Sequence, residues 1–273
     1  MYRDVGLLFA GNLSGSFLGG ALFVGLGLVL SLGAAAIVRR FANNALLREH
    51  NDIAGFILAV VGVVYAVLLA FVAVGAWERF ALAEVHTYDE ANALTQTYRD
   101  VGIFPEKTSV RRELRFYVND VVNREWPAMA TGGQSRDAAA TIELVAQQIR
   151  NMHPNTPGPQ NVQAELLTGI DKALLDRANR LSMDADGLNN IVWTTLAAGA
   201  IVTVGFTLLF GFKSRALQML MTGGLTFSIV IVFYLAASLD YPFQGHIHVL
   251  PHAFVSALHS FDIVDRVDTP RSY

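Results

Sequence analysis

Four stretches of this chain, residues 16–38, 53–77, 190–212 and 217–239, contain no Asp, Glu, Lys or Arg. A helix rises ~1.5 Å per residue and the hydrocarbon layer of a bilayer is ~30 Å thick, so each run can cross it. In lipid the backbone N–H and C=O groups must be satisfied within the segment, and a helix does that. Only 16% of the residues are charged, against about 25% in ordinary soluble domains. The expected fold class is an all-α integral membrane protein, with four transmembrane helices and a helical extramembrane domain between the second and third.

The first run is a retained helix rather than a cleaved signal. Its strong positive pair, Arg39 and Arg40, follows the apolar stretch, and a signal peptide has the reverse order and a shorter apolar core. The chain has no cysteine, which excludes disulfides, thiolate nucleophiles and Cys-ligated metal. A net charge of −3 gives no reason to expect nucleic acid as a partner. Phosphate-binding loops, zinc-protease helices and nucleophile elbows are absent. No nucleophile stands with a base, so the chain reads as a non-enzyme without a cofactor. With no ionisable residue inside a crossing, a proton-coupled carrier also lacks its relay.

Four crossings divide the chain into two helices within 1–77, an extramembrane domain at 78–189, two helices within 190–240 and an interfacial tail at 241–273. Both termini share a side with segment 78–189. The short loops on the other side hold Arg39, Arg40, Arg48, Lys213 and Arg215, whereas the tails hold Arg3, Arg266 and Arg271. By the positive-inside rule those short loops are cytoplasmic and the large segment is outside.

Within that segment, Ala81, Val85, Tyr88, Ala91, Leu94 and Tyr98 recur at three- and four-residue intervals, so the second crossing continues into water as an amphipathic helix. A second helix over 107–129 presents Val110, Leu114, Tyr117, Val118, Val121 and Val122, with Arg111, Arg112, Arg115 and Asp120 facing away and Pro127 ending it. A third covers about 136–152. Prolines in "HPNTPGPQN" are expected to break the chain before a fourth helix from about 160 to 185. No period-2 pattern suggests a sheet.

Several blocks then resemble a mostly bacterial, bestrophin-like membrane family: "YAVLLAFVAVGAWERF", "EANAL", "FYVNDVVNREWPAM", "RANRL", "IVWTTLAAGA" and "LDYPFQG", in family order over roughly residues 50–255. The residues matching its motifs are Trp77, Glu90, Tyr117, Glu125, Trp126, Pro127, Asp240, Pro242, Phe243 and Gly245. The resemblance implies a four-helix ground-plan like that of bestrophins, which are pentameric ion channels. There the second helix lines the pore, and the domain and termini are cytoplasmic, opposite to the loop-charge reading. It further implies membrane lipid, inorganic ions and copies of the same chain as partners, and a multi-pass protein of a bacterial inner membrane. Bestrophins bind calcium through a dense acidic cluster after the fourth crossing. The tail here offers Asp262, Asp265 and Asp268, so calcium gating does not carry over.

Pore or gate candidates on the second helix are Tyr65, Phe71 and Glu78. A ring of Glu78 carboxylates would attract cations; the competing reading pairs Glu78 with Arg79 of a neighbour or with Arg180. Tyr65 in mid-helix reads more readily as a packing residue. After the fourth helix, His246, His248 and His252 could hold a metal, but no carboxylate stands at ligand spacing. The better reading is a turn at Asp240, Pro242 and Gly245, with Phe243 at headgroup level. Two functions are left open: an oligomeric pore, or a non-conducting scaffold whose helical domain recruits a partner.

Overall fold

The computed structural model describes residues 17–41 and 44–268; Arg3 and Arg271 lie outside them. The described residues form α-helices and no strand: α1 (Phe17–Phe41), α2 (Asn44–Glu49), α3 (Asn51–Asp100), α4 (Lys107–Asp120), α5 (Trp126–Met129), α6 (Arg136–Arg150), α7 (Pro157–Ala185), α8 (Asn190–Thr207), α9 (Arg215–Leu239) and α10 (His252–Asp268). Helices α1, α3, α8 and α9 are long and apolar enough to cross a membrane, as the four uncharged runs predict. The chain forms two compact units, one from residues up to Arg79 with Gly187–Tyr241 and Gly245–Ile247, the other from Phe80–Asp186 with Pro242–Gln244 and His248 onward.

In the membrane unit, α1 packs on α9 through small residues. A Cβ at Gly27 would lie 2.9 Å from Val230, and one at Gly20 would lie 2.9 Å from Tyr234. Phe23 stacks on Phe233 at 6.0 Å. Between α3 and α8, the Tyr65 ring covers Gly199, where a Cβ would stand 2.5 Å from Cδ2. Such close approach is what holds helices together in lipid, where apolar burial supplies no driving force. Gly62, Gly205 and Gly224 meet nothing within 4 Å, so the high glycine content is only partly a packing device. Several hydroxyls inside the spans donate to the preceding turn, as in Thr203 Oγ1 to the Gly199 carbonyl and Thr226 Oγ1 to that of Thr222, while Thr222 Oγ1 donates across to Thr207 at 3.2 Å. At one loop end, Asn51 donates to the Gly211 carbonyl at 3.1 Å and accepts from its N–H at 3.0 Å.

The second unit is a helical domain around one apolar core. Leu94 and Tyr98 of α3, Val110, Leu114 and Tyr117 of α4, Ile142 and Ile149 of α6, and Ile170 of α7 meet there. Several sequence expectations change. The buried face of α3 runs through Ala83, Thr87, Glu90 and Leu94, while Val85 and Tyr88 are exposed. Arg111 and Asp120 are buried instead of facing away. Arg111 donates to the Tyr98 carbonyl and Asp268, and Asp120 accepts from Ser135 Oγ.

Pro127 does not end its helix. It follows a π-helical segment, Val121–Glu125, and occupies the first turn of α5. The wider turn absorbs the missing N–H and the ring clash that proline brings. The expected break is there at residues 151–156, but it is shorter than the sequence suggests, because Pro157 and Pro159 open α7, where the first-turn N–H groups have no helical acceptor anyway.

The tail departs most from expectation. The segment after Asp240 does turn, with Gly245 at φ 77 and the Val249 N–H donating to the Pro242 carbonyl at 2.8 Å. Phe243, however, lies in the domain core and not at headgroup level. Helix α10 buries Phe254 and Phe261 in that core, and Phe261 stacks on Tyr98 at 3.9 Å. An amphipathic helix follows the apolar surface offered to it, and a protein core competes with the lipid interface for the same face.

Candidate functional site

Two arrangements collect the chemistry-bearing residues, one in each unit. Along the membrane part of α3, at 100° per residue, Val60, Val64, Val67, Phe71 and Val74 project within about 40° of Glu78. All six are exposed in the single chain. They form an apolar stripe ending in a carboxylate, and nothing ionisable interrupts it. Tyr65 points to the far side of the helix, buried under α8. It fills a packing role against Gly199 and does not share a face with Phe71 and Glu78. Trp77, also exposed, suits the membrane–water boundary.

The other arrangement is a charged knot inside the helical domain. Arg180 of α7 is 0% exposed. Its Nε donates to Glu90 Oε2 at 2.8 Å, and its Nη2 donates to Glu90 Oε1 at 3.2 Å and to Glu125 Oε1 at 2.8 Å. Arg177, one turn earlier, donates to Glu125 Oε2 at 2.5 Å, and the Ser135 N–H reaches the same oxygen at 3.1 Å. Tyr117 donates its phenol to Glu90 Oε1 at 2.5 Å. Trp126 and Phe254 place ring faces 5.2 and 5.5 Å from the Arg180 guanidinium.

Two carboxylates and two guanidiniums balance, so the knot carries no net charge into the core. Burial opposes the charge on Arg180, but Glu90 and Glu125 outweigh it and hold the guanidinium above its ordinary range. Burial, with Glu90 beside it, likewise lifts the Tyr117 phenol well above its usual value, which keeps it a donor. Every charged partner is oriented by another, so the knot fixes the mutual placement of α3, the π segment and α7.

A bestrophin-like domain profile matches residues 25–254 of this chain. The chain belongs to the bestrophin-like family. Solved structures share its fold. A point variant of the bacterial bestrophin homologue from Klebsiella pneumoniae has a TM-score of 0.68 at 11% identity, covering 89% of this chain and 98% of that one. A second crystal structure of a bestrophin homologue from that organism has a TM-score of 0.66 at 12%, covering 88% and 98%. A crystal structure of a membrane protein variant gives 0.68 at 12%, covering 90% and 98%. No curated protein matches the sequence.

Seven of the ten residues expected to carry family motifs fall into three places. Glu90, Tyr117, Glu125 and Trp126 meet in the knot, and Pro127 follows its π segment. Phe243 packs edge-on against Trp126 at 5.5 Å, while the Trp126 indole donates to the Val249 carbonyl at 3.1 Å. Asp240 belongs to the membrane unit, where it caps α9 and accepts from the Leu188 N–H at 2.7 Å and Trp193 Nε1 at 3.2 Å, with Arg79 Nε at 4.0 Å. Gln244, beside Phe243 in sequence, donates to Asp184 at 3.1 Å.

Arg177 and Arg180 complete the knot; sequence reasoning named Arg180 only as a partner for Glu78 and gave Arg177 no role. The signal was in α7: Leu166, Ile170, Ala173, Arg177, Arg180 and Asp184 lie on one helical stripe, so the apolar face continues as a charged one. Arg180 is engaged with Glu90 and Glu125, and this rules it out as the intrachain partner of Glu78. Asp262 and Asp265 pair with Arg115 at 2.7 and 2.9 Å, and Asp268 pairs with Arg111 at 2.7 Å. These three carboxylates fasten α10 to α4. His246 and His252 are exposed, and among the described residues no three or more His, Asp or Glu side chains group as metal ligands.

Proposed function

We propose that this protein is an ion channel formed by a ring of identical chains, with α3 facing the axis. The observation that carries the reading is the α3 stripe. Four exposed valines share a face with Phe71, and Glu78 closes its end, on a helix that runs without interruption for 50 residues. An apolar constriction at Phe71 would gate by dewetting, and carboxylates at the mouth would enrich cations. Membership of the bestrophin-like family supports assembly as an oligomer, with a pentamer as the family plan. Helical spans favour a bacterial inner membrane as host, since outer membranes are spanned by barrels.

The test is ion flux from liposomes holding the purified protein. The reading expects conductance above protein-free vesicles and a reduced preference for cations in Glu78→Gln. Unchanged selectivity would remove Glu78 from the mouth. No flux at all, with a partner protein co-purifying on the helical domain, would favour a scaffold instead.

A further inference from the structure

At the loop end of the membrane unit, α1 and α9 enclose a cavity of about 250 Å³. Its polar wall is Arg39, Arg40, Arg215 and Gln218, and among the described residues no carboxylate lines it. Gln218 is buried and accepts from Arg39 Nη1 at 3.0 Å, so one guanidinium is already held in place. Ala35 and Ala36 leave the space open below it. Three cations gathered around one cavity repel each other until an anion joins them. Arginine forks match phosphate oxygens two at a time.

Two further observations point the same way. Helix α9 begins at Arg215, and Ser214 before it makes no side-chain cap, so first-turn N–H groups add donors at the same end. Arg39 and Arg40 stand in the last turn of one spanning helix and Arg215 opens another, which is headgroup depth. Met219 is exposed on the cavity's apolar wall. Val29 is exposed two helical turns below Ala36 on the same face. That apolar continuation suits an acyl chain and gives nothing to a free ion.

The structure assigns to this cavity the binding of an anionic phospholipid, its phosphate held by Arg39, Arg40 and Arg215. The site lies apart from the α3 stripe and stands or falls independently of conduction. It also gives Arg39, Arg40 and Arg215 a role that does not depend on orientation.

Native mass spectrometry of the full-length protein in uncharged detergent, titrated with phosphatidylglycerol or phosphatidylcholine, tests it. Phosphatidylglycerol should be retained in preference. The double variant Arg40→Gln, Arg215→Gln should bind it about tenfold or more weakly, as the loss of two basic residues at a lipid surface implies. Met219→Glu, which keeps every arginine but puts a carboxylate in the cavity, should weaken it as well. Equal retention of the two lipids, or unchanged affinity in both variants, overturns the assignment. Inorganic phosphate that displaces phosphatidylglycerol at the same concentration would mark a free-anion site and overturn it too.

Discussion

Glu90 and Arg180 form a bidentate ion pair from which water is excluded: both side chains are 0% exposed, with contacts of 2.8 and 3.2 Å. Ninety residues separate them in sequence. Two charges taken out of water cost several kcal/mol each, and their attraction offsets this only when the geometry is good and the remaining donors and acceptors are satisfied. Glu125, Tyr117 and Arg177 meet that condition here.

Removing one member therefore strands the others. Glu90→Gln or Arg180→Leu should each destabilise the protein by about 3–5 kcal/mol, read as a lowered denaturation midpoint in detergent. In a double-mutant cycle the pair should be strongly non-additive, because the second substitution removes the charge that the first left unpaired. Additive losses would mean that the knot is not a unit.

The Tyr65–Gly199 contact makes a contrast between two glycines. Gly199→Ala places its Cβ 2.5 Å from the tyrosine ring, whereas Gly62→Ala meets nothing within 4 Å. Overpacking of this kind costs about 1–3 kcal/mol. Thermal unfolding should show a clear loss for the first substitution and none for the second. Equal effects would contradict the α3–α8 packing.

Asp240 supplies a pH dependence. Burial raises its carboxyl above the ordinary 3.8, although the Leu188 N–H, Arg79 and Trp193 pull the other way. A folded-state value above the unfolded one means that the fold holds the proton more tightly. That contribution is whole below the unfolded value and is lost as pH rises through the raised one. Asp240→Asn cannot ionise, so its stability relative to the native chain should improve on going from about pH 4 to pH 7. Parallel denaturation curves across that range check the sign.

Orientation is open to a single chemical test. The chain has no cysteine, and Ala139 is exposed on α6, so Ala139→Cys gives one reactive thiol in the helical domain. On the bestrophin plan it should react with an impermeant maleimide only after the cells are permeabilised. Labelling of intact cells would instead show that the loop arginines govern insertion.

Much of the fold was legible locally. The buried stripe Val110, Leu114, Tyr117 and Val118 on α4, carried on by Val121 at the start of the π segment, follows from apolar spacing. On α3 the same reasoning held at Ala91, Leu94 and Tyr98 but failed one turn earlier, where Val85 and Tyr88 look like core but are exposed, and Glu90 looks like surface but is buried. Periodicity ranks residues by their affinity for water, and a carboxylate whose guanidinium lies on another helix breaks that ranking. The proline errors share a cause: at Pro127 and Pro157 the missing N–H falls where a π segment or a helix start makes it harmless.

What the residues determine by themselves is the solvent of each segment. Four uncharged runs must be helices in lipid, since nothing else satisfies their backbone there. What only the tertiary structure decided is pairing: that Glu90 and Glu125 share Arg180, that α10 closes the helical domain, and that three arginines from two spanning helices ring one cavity. Transfer from water is a property of single side chains and can be read along the chain. Electrostatic and steric complementarity belongs to residues far apart in sequence, and it exists only once the fold has brought them together.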